Sequence, residues 1–158
     1  MADTFRIVRS TTVAAPPERI APHIQDFHAW AKWSPYEKLD PQMKKTFSGA
    51  ERGVGASYAW EGNSKAGAGS MTITAATPQK TSIALHFTKP MRSENTAEFT
   101  VEPDGAGTRV TWTMTGPKNL MMTIMGIFMN MDKMIGKAFD EGLGNLKELV
   151  EKGSDGRA

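Results

Sequence analysis

Histidine is the side chain whose ordinary pKa suits proton transfer near neutral pH, and the chain contains three: His23, His28 and His86. His86 lies on the polar side of an alternating strand pattern, while His23 and His28 flank a short helical corner. These positions favour solvated residues over a catalytic base. No HExxH or HxH spacing occurs, so we expect no zinc site, and we assign no cofactor.

The acidic residues suggest no catalytic pair either. Glu61, Glu94 and Glu98 alternate away from neighbouring aromatic residues, as is typical of a solvated sheet face. Asp132 lies close to an apolar helical stripe, where an ion pair at the stripe's edge would equally explain it. Arg92, at a predicted strand boundary, is a candidate for recognising an acidic ligand group or else an exposed turn residue. We therefore assign no catalytic residue.

Two further kinds of site are excluded by residue type. The chain has no cysteine, which rules out disulfides, zinc–thiolate sites and thiol nucleophiles. The glycine pairs Gly53/Gly55 and Gly67/Gly69 lack the full GxGxxG or GxxxxGK pattern leading from a strand into a helix. They are therefore interpreted as hairpin or bulge glycines and not as nucleotide-binding loops.

The remaining candidates for function are aromatic and methionine side chains. Six of the eleven methionines lie in the segment 120–134, and methionine adapts its unbranched, polarizable side chain to irregular apolar space. Ligand pockets are mostly apolar with a few polar groups, although the same residues at strand spacing would also form an ordinary filled core. The predicted ligand-binding residues are Trp33, Tyr58, Trp60, Met71, Phe87, Arg92, Phe99, Trp112, Met114, Met125, Phe128 and Met131.

Composition indicates one soluble domain. The chain has 158 residues, 39% of them hydrophobic and 23% charged, with a net charge of +2. Its basic residues are scattered, which argues against nucleic acid as a partner. It has neither an apolar signal-peptide core nor a run of about 20 apolar residues, so we expect no stable membrane insertion and a cytoplasmic location. We predict a single domain over 1–153 and a flexible tail over 154–158.

Alternating apolar and polar residues predict most of the domain to be an antiparallel sheet. A first strand is followed by a Pro-rich short helix at 16–24, and by a second helical turn at 26–30 with Asp26 as its N-cap. An antiparallel meander of about five or six strands comes next. The segments with clear alternation are 5–13, 56–61, 70–76, 81–88, 94–101 and 108–115.

Apolar residues at helical spacing predict a long C-terminal helix after Gly116-Pro117. Asn119 is its expected N-cap, Gly126 is a candidate kink near its start, and Lys152 followed by Gly153 is a suitable stop. This helix would place the methionine-rich segment opposite the sheet, with an apolar pocket between the two.

The order of these elements, together with the residues in four segments, resembles the polyketide cyclase/dehydrase and lipid transport group of the START-like superfamily (SRPBCC, Bet v 1-like). The segments are 15–19 (APPER), 30–36 (WAKWSPY), 107–112 (GTRVTW) and 130–147. The resemblance implies an α+β helix-grip fold, in which a curved antiparallel sheet wraps around a long C-terminal helix, with two short helices after strand 1. It implies a cavity but no single chemistry, because members include carriers, receptors and cyclases.

Three functions stay open on this basis. The first is binding of a hydrophobic or amphipathic small molecule (a lipid, polyketide or aromatic metabolite) in a cavity between sheet and helix. The second is a polyketide cyclase or dehydratase type of enzyme, which needs a proton-transfer group inside that cavity. The third is a protein-interaction or regulatory module without a ligand. A homodimer is also left open.

Overall fold

The computed structural model describes residues 4–35, 42–63, 67–89, 92–117 and 131–153. The elements in chain order are β1 (Thr4–Val13), α1 (Pro17–Ile24), a 3₁₀ turn (Ala29–Lys32), β2 (Lys44–Gly49), β3 (Ala56–Glu61), β4 (Ala68–Ala76), β5 (Lys80–Lys89), β6 (Ser93–Asp104), β7 (Gly107–Pro117) and α2 (Met131–Gly153). The strands form one seven-stranded antiparallel sheet in the order β1-β7-β6-β5-β4-β3-β2.

The predicted helix-grip fold is confirmed. Each predicted strand overlaps an observed one. The alternation was detectable because these strands bury the side chains of one face of the sheet and expose those of the other. Strand β2 shows no such alternation, since all six of its residues are exposed at the edge of the sheet. That full exposure explains why the sequence marks this strand only weakly.

Helix α2 lies alongside β1 and closes the sheet at the other edge. The Arg9 side chain is 3.5 Å from the Asp140 carboxylate, and further along the helix Lys147 donates a 2.8 Å hydrogen bond to the Thr12 carbonyl. The Ala14 amide in turn donates to Glu151 at 2.8 Å. These contacts hold the apolar side of α2 against the concave face of the sheet.

The short helical corner after β1 departs from the prediction in one detail. Helix α1 begins at Pro17 with Pro16 in the N-cap position, close to the expected 16–24. The following turn begins at Ala29, and its N-cap is His28, so the prediction that Asp26 caps this turn is wrong. The Asp26 carboxylate instead accepts a 2.9 Å hydrogen bond from the His28 amide two residues on, as Asp side chains often do in turns.

Helix α2 ends at Gly153, as the sequence predicts. The expected N-cap at Asn119, the candidate kink at Gly126 and the tail over 154–158 lie outside the described residues. In the parts of the chain that the structure describes, no helix has the length and apolar character needed to cross a membrane.

Candidate functional site

Large aromatic rings fill one end of the space between the sheet and α2. We call this group the aromatic cluster: Trp30, Trp33, Phe99, Trp112 and Phe139. The Trp112 and Phe139 rings stack with their centroids 3.9 Å apart and their planes at 4°. The Phe99 ring also stacks on Trp112, with their centroids 4.9 Å apart. The two remaining tryptophans contact Phe99 and Trp112 edge-on. The interior at this end is packed solid by the protein's own side chains.

The two tryptophans of the 3₁₀ corner are fixed by hydrogen bonds as well as by packing. The Trp30 indole donates to the Ile24 carbonyl at 2.8 Å, and the Trp33 indole donates to the His23 carbonyl at 2.9 Å. For each buried indole N–H, this hydrogen bond replaces the one to water that is lost on burial. The sequence predicts a loop here, and the structure shows that its two tryptophans pack against the rings of the sheet.

A second set of side chains crosses the concave face where β1 begins and β7 ends. Paired positions on neighbouring strands line up from one edge of the sheet towards the other. We call this set the inner row: Phe5, Gly116, Asn95, Leu85, Met71 and Tyr58. Along β6, Asn95 lies four residues from Phe99, which corresponds to about 13 Å. The inner row and the aromatic cluster therefore occupy different ends of the same face.

The side chains of the aromatic cluster and of the inner row are all buried, and exposure rises only at the rim of the concave face. Trp112 is 3% exposed and Phe99 is 1% exposed, whereas Met71 and Leu85 each reach 8%. One step further out, Trp60 and Phe87 are half-buried. The apolar face is thus closed at the cluster and along the inner row, and it becomes accessible at this outer aromatic pair.

The outer aromatic pair meets across a glycine. Register places Trp60 and Phe87 on either side of Gly69, and the two rings make an edge-to-face contact at 5.8 Å. A Cβ at Gly69 would lie 2.8 Å from the Trp60 ring, so a larger residue would displace that ring. The missing side chain lets the indole lie across the strand at the rim of the concave face.

Asn95 is the one carboxamide of the inner row, and sequence reasoning missed it. It is buried, and its Nδ2 donates a long 3.4 Å hydrogen bond to Ser93. Its Oδ1 has no hydrogen-bond partner among the groups that the structure describes. The alternating pattern of β6 could have identified it, because Asn95 lies on the same inward-facing side of the strand as Ala97, Phe99 and Val101.

The structure distributes the sequence-predicted ligand residues over these regions. Trp33, Phe99 and Trp112 lie in the aromatic cluster, and Tyr58 and Met71 lie in the inner row. Met114 is buried beside the inner row and pairs with Ile7 and Ala97. The remaining predicted residues are Trp60 and Phe87 at the rim, exposed Arg92 just before β6, and Met125 and Phe128, which lie outside the described residues. Met131 begins α2, but its side chain is likewise outside the description, so ligand contact by this set stays a prediction.

The histidines are not part of the inner row, although His28 stacks on Phe47, which pairs with Tyr58. His23, in α1, has a pKa lowered from its usual value by burial first and by the nearby charges of Lys32 and Arg19 second. His28 is exposed, bonds to Asp26 at 3.0 Å and stacks on a neighbouring phenylalanine. His86 is exposed on the outer face of β5. Within the described ranges, no group of three or more acidic, histidine or cysteine side chains is placed to hold a metal ion.

Two depressions on the described surface lie elsewhere. One is lined mainly by alanine and proline between the end of β1 and the β6–β7 turn. The other runs along exposed β2 next to His28. Both open to solvent and neither contains an inner-row side chain. The first lacks the large apolar side chains that hydrophobic ligands bind, whereas Phe27 and Phe47 line the second.

Comparison with known proteins gives a family and a fold. Residues 4–151 match the model of a family described as polyketide cyclase / dehydrase and lipid transport, while no curated protein matches the chain. Protein CV1439 from Chromobacterium violaceum is 18% identical, with a TM-score of 0.64 over 96% of this chain and 99% of its own. The Aha1 dimer from Colwellia psychrerythraea is 17% identical, with a TM-score of 0.62 over 93% of this chain and 96% of its own.

Ara h 8.0201 extends the comparison to a Bet v 1-like protein. It is 11% identical, with a TM-score of 0.60 over 93% of this chain and 97% of its own. At such identities the solved structures show the fold alone, which is the Bet v 1-like helix-grip arrangement.

Proposed function

Because the chain belongs to the polyketide cyclase / dehydrase and lipid transport family, we propose that it binds a hydrophobic or amphipathic small molecule between the sheet and α2. A lipid, a polyketide or an aromatic metabolite would fit this description. The observation that carries the proposal is the half-buried aromatic pair Trp60 and Phe87 at the rim of the concave face, next to a buried inner row and a closed cluster. The closed end would support the site and the accessible end would receive the ligand.

Burial of the ligand's apolar surface would supply the driving force. Each Å² removed from water contributes about 25 cal/mol, from which the loss of ligand freedom and the ordering of side chains must be subtracted. Met71 and Met114 suit this role because their flexible thioethers adapt to different ligand shapes. Trp60 and Phe87 at the rim would offer flat surfaces to an aromatic or polyketide ring.

The side chains of the inner row support binding better than catalysis. A cyclase or dehydratase needs an acid or base within reach of the reacting atoms. The polar groups of the inner row are the Tyr58 hydroxyl and the Asn95 carboxamide, while His23, His28 and His86 lie elsewhere. We therefore propose a binding protein. For the homodimer left open by the sequence, the support is that the Aha1 structure is that of a dimer.

Titration with the neutral apolar dye Nile red would test the binding site. We expect saturable fluorescence enhancement with wild-type protein, and a loss of affinity of about tenfold or more in Leu85→Trp, whose indole would fill the space over the inner row. His86→Trp is the matched control, because it adds the same indole to the exposed outer face of the same strand. Met71→Phe repeats the test with a smaller change in volume.

Two results would overturn this proposal. One is an absence of saturable dye binding to folded wild-type protein. The other is unchanged affinity in both Leu85→Trp and Met71→Phe while circular dichroism shows that they are folded. Native mass spectrometry of protein purified from its own host would extend a positive result, since a retained small molecule would identify the ligand class.

A further inference from the structure

We propose that Asn95 is the polar anchor of this ligand site, and that it selects an uncharged ligand bearing a hydrogen-bond donor, such as an alcohol or phenol hydroxyl. A matched molecule without the donor would bind less well. This inference rests on the proposed function, and it adds the chemical class of the ligand. It depends on the position, burial and bonding of one carboxamide in a row whose other polar group is the Tyr58 hydroxyl.

The first step concerns the bonding of buried polar groups. Three polar side chains are buried in the described part of the chain: Thr81, Asn95 and Thr108. The Thr108 hydroxyl donates to the Ala15 carbonyl at 2.7 Å, and the Thr81 hydroxyl accepts from Gln25 at 3.0 Å. Asn95 is 5% exposed, yet its Oδ1 has no partner among the described groups. Buried polar atoms are nearly always paired, so this exception calls for an explanation.

The second step concerns where that oxygen lies. Asn95 faces Leu85 on β5 and Gly116 on β7, and a Cβ at Gly116 would overlap the Asn95 Oδ1. The Phe5 ring approaches the same glycine from β1. Because Gly116 has no side chain, the Asn95 Oδ1 occupies the space over this glycine beside the Phe5 ring, and a ligand would reach it by shifting the carboxamide towards the concave face.

The third step concerns the ligand's polarity. A carboxamide oxygen accepts hydrogen bonds, so the complementary ligand group is a donor. The inner row contains no charged side chain, and a carboxylate or ammonium buried against it would lose hydration without gaining a counter-ion. The nearby Glu94 and Arg92 are exposed. A neutral hydroxyl on an apolar skeleton satisfies the oxygen and leaves no charge buried.

Competition between two matched ligands for the Nile red site would test this anchor in the full-length protein. The ligands are 1-decanol and decyl methyl ether, which share the alkyl chain and the oxygen but differ in the donor hydrogen. The quantity measured is the ratio of their Kd values in each variant, so general differences in hydrophobicity cancel. We expect the preference for the alcohol to fall about tenfold in Asn95→Leu relative to wild type.

Controls separate the anchor from a general effect on the core. Thr81→Val removes a buried hydroxyl from the same face of the sheet but outside the inner row, and it should keep the wild-type ratio. Asn95→Leu should also raise the Tm of the ligand-free protein, since it replaces an unpaired buried polar group by an apolar one of similar shape. Asn95→Ala repeats the binding measurement if the leucine is poorly tolerated.

The outcomes distinguish this inference from the proposed function. If Nile red and both ligands bind but the ratio is the same in wild type, Asn95→Leu and Asn95→Ala, then Asn95 is not the anchor and the binding function stands. If wild-type protein gives no saturable binding of Nile red or of either ligand, the proposed function fails and this inference fails with it. A loss of preference in the Asn95 variants alone supports both.

Discussion

The aromatic cluster and the inner row lie on the same concave face and differ in almost every physical respect. The cluster consists of rigid rings in stacked and edge-to-face contact, and the Trp30 and Trp33 indoles are hydrogen-bonded to carbonyls of α1. The inner row mixes methionine, leucine and a glycine with one incompletely bonded carboxamide.

This difference indicates that the two ends of the concave face have different roles. A fully packed end holds the sheet, the 3₁₀ corner and α2 in a fixed relation, because close-packed rings resist rearrangement. An adaptable end can then carry an unpaired polar atom without loss of the fold. Burial of an unpaired polar atom normally destabilises a protein, and the stabilising cluster offsets this cost.

The largest contrast should come from truncating one side chain in each region. Trp112→Ala removes a ring that contacts four other aromatic residues, and we expect the free energy of unfolding to fall by about 3–5 kcal/mol. Met71→Ala in the inner row should cost less, about 2 kcal/mol, since it removes a smaller side chain than Trp112→Ala does. Urea unfolding followed by far-UV circular dichroism measures both. Equal losses would contradict the proposed division.

A pair of glycines in α2 provides a finer test of how tightly the cluster is packed. A Cβ at Gly142 would lie 2.7 Å from Pro35 Cδ and 3.1 Å from the Trp112 ring. At Gly144 it would have no neighbour within 4 Å. Gly144→Ala should therefore raise the free energy of unfolding by about 1 kcal/mol through helix propensity. In Gly142→Ala, overpacking of about 1–3 kcal/mol should outweigh that gain.

The two alanine variants differ only in what surrounds the added methyl group. Thermal unfolding of both, alongside wild type, would show Tm moving in opposite directions. A rise in Tm for Gly142→Ala equal to that for Gly144→Ala would mean that the cluster has spare room. The contrast between a closed and an adaptable end would then lose its main support.

The smallest effect should appear in the pH dependence of stability. The pKa of His23 is lowered from 6.5 by burial and by neighbouring cations, so the unfolded chain takes up a proton more readily than the folded one. The stability that neutral His23 provides is therefore present above pH 6.5 and declines as the pH falls through 6.5 towards the lower folded pKa. Its backbone carbonyl accepts the Trp33 indole N–H, which links this titration to the cluster end.

Urea unfolding at a series of pH values would measure this dependence. His23→Gln should flatten the fall in stability below pH 6.5, whereas His86→Gln, at an exposed position, should leave it unchanged. An identical pH profile of stability in wild type and His23→Gln would contradict the assignment of this pH dependence to His23. Nile red affinity should change little over the same range, because His23 lies away from the inner row.

Much of this protein could be predicted from the sequence, and the exceptions have physical reasons. Period-two alternation predicted the inward faces of β3 to β7, including Tyr58 and Met71. Fully exposed β2 has no alternation to detect. Asp26 has the residue type of an N-cap but forms a turn with His28 instead, because the choice between these two bonds depends on the surrounding packing.

The sequence by itself determined the fold, since strand alternation, the Pro-rich corner and the terminal helical stripe are local patterns that only a sheet gripping a helix satisfies together. It also determined which side chains face inward. Only the tertiary structure decided how that inward face divides into the aromatic cluster and the inner row. Stacking of Trp112 on Phe139 and the opposition of Asn95 to Gly116 join residues far apart in the chain, and a periodic pattern within one element carries no information about its partners.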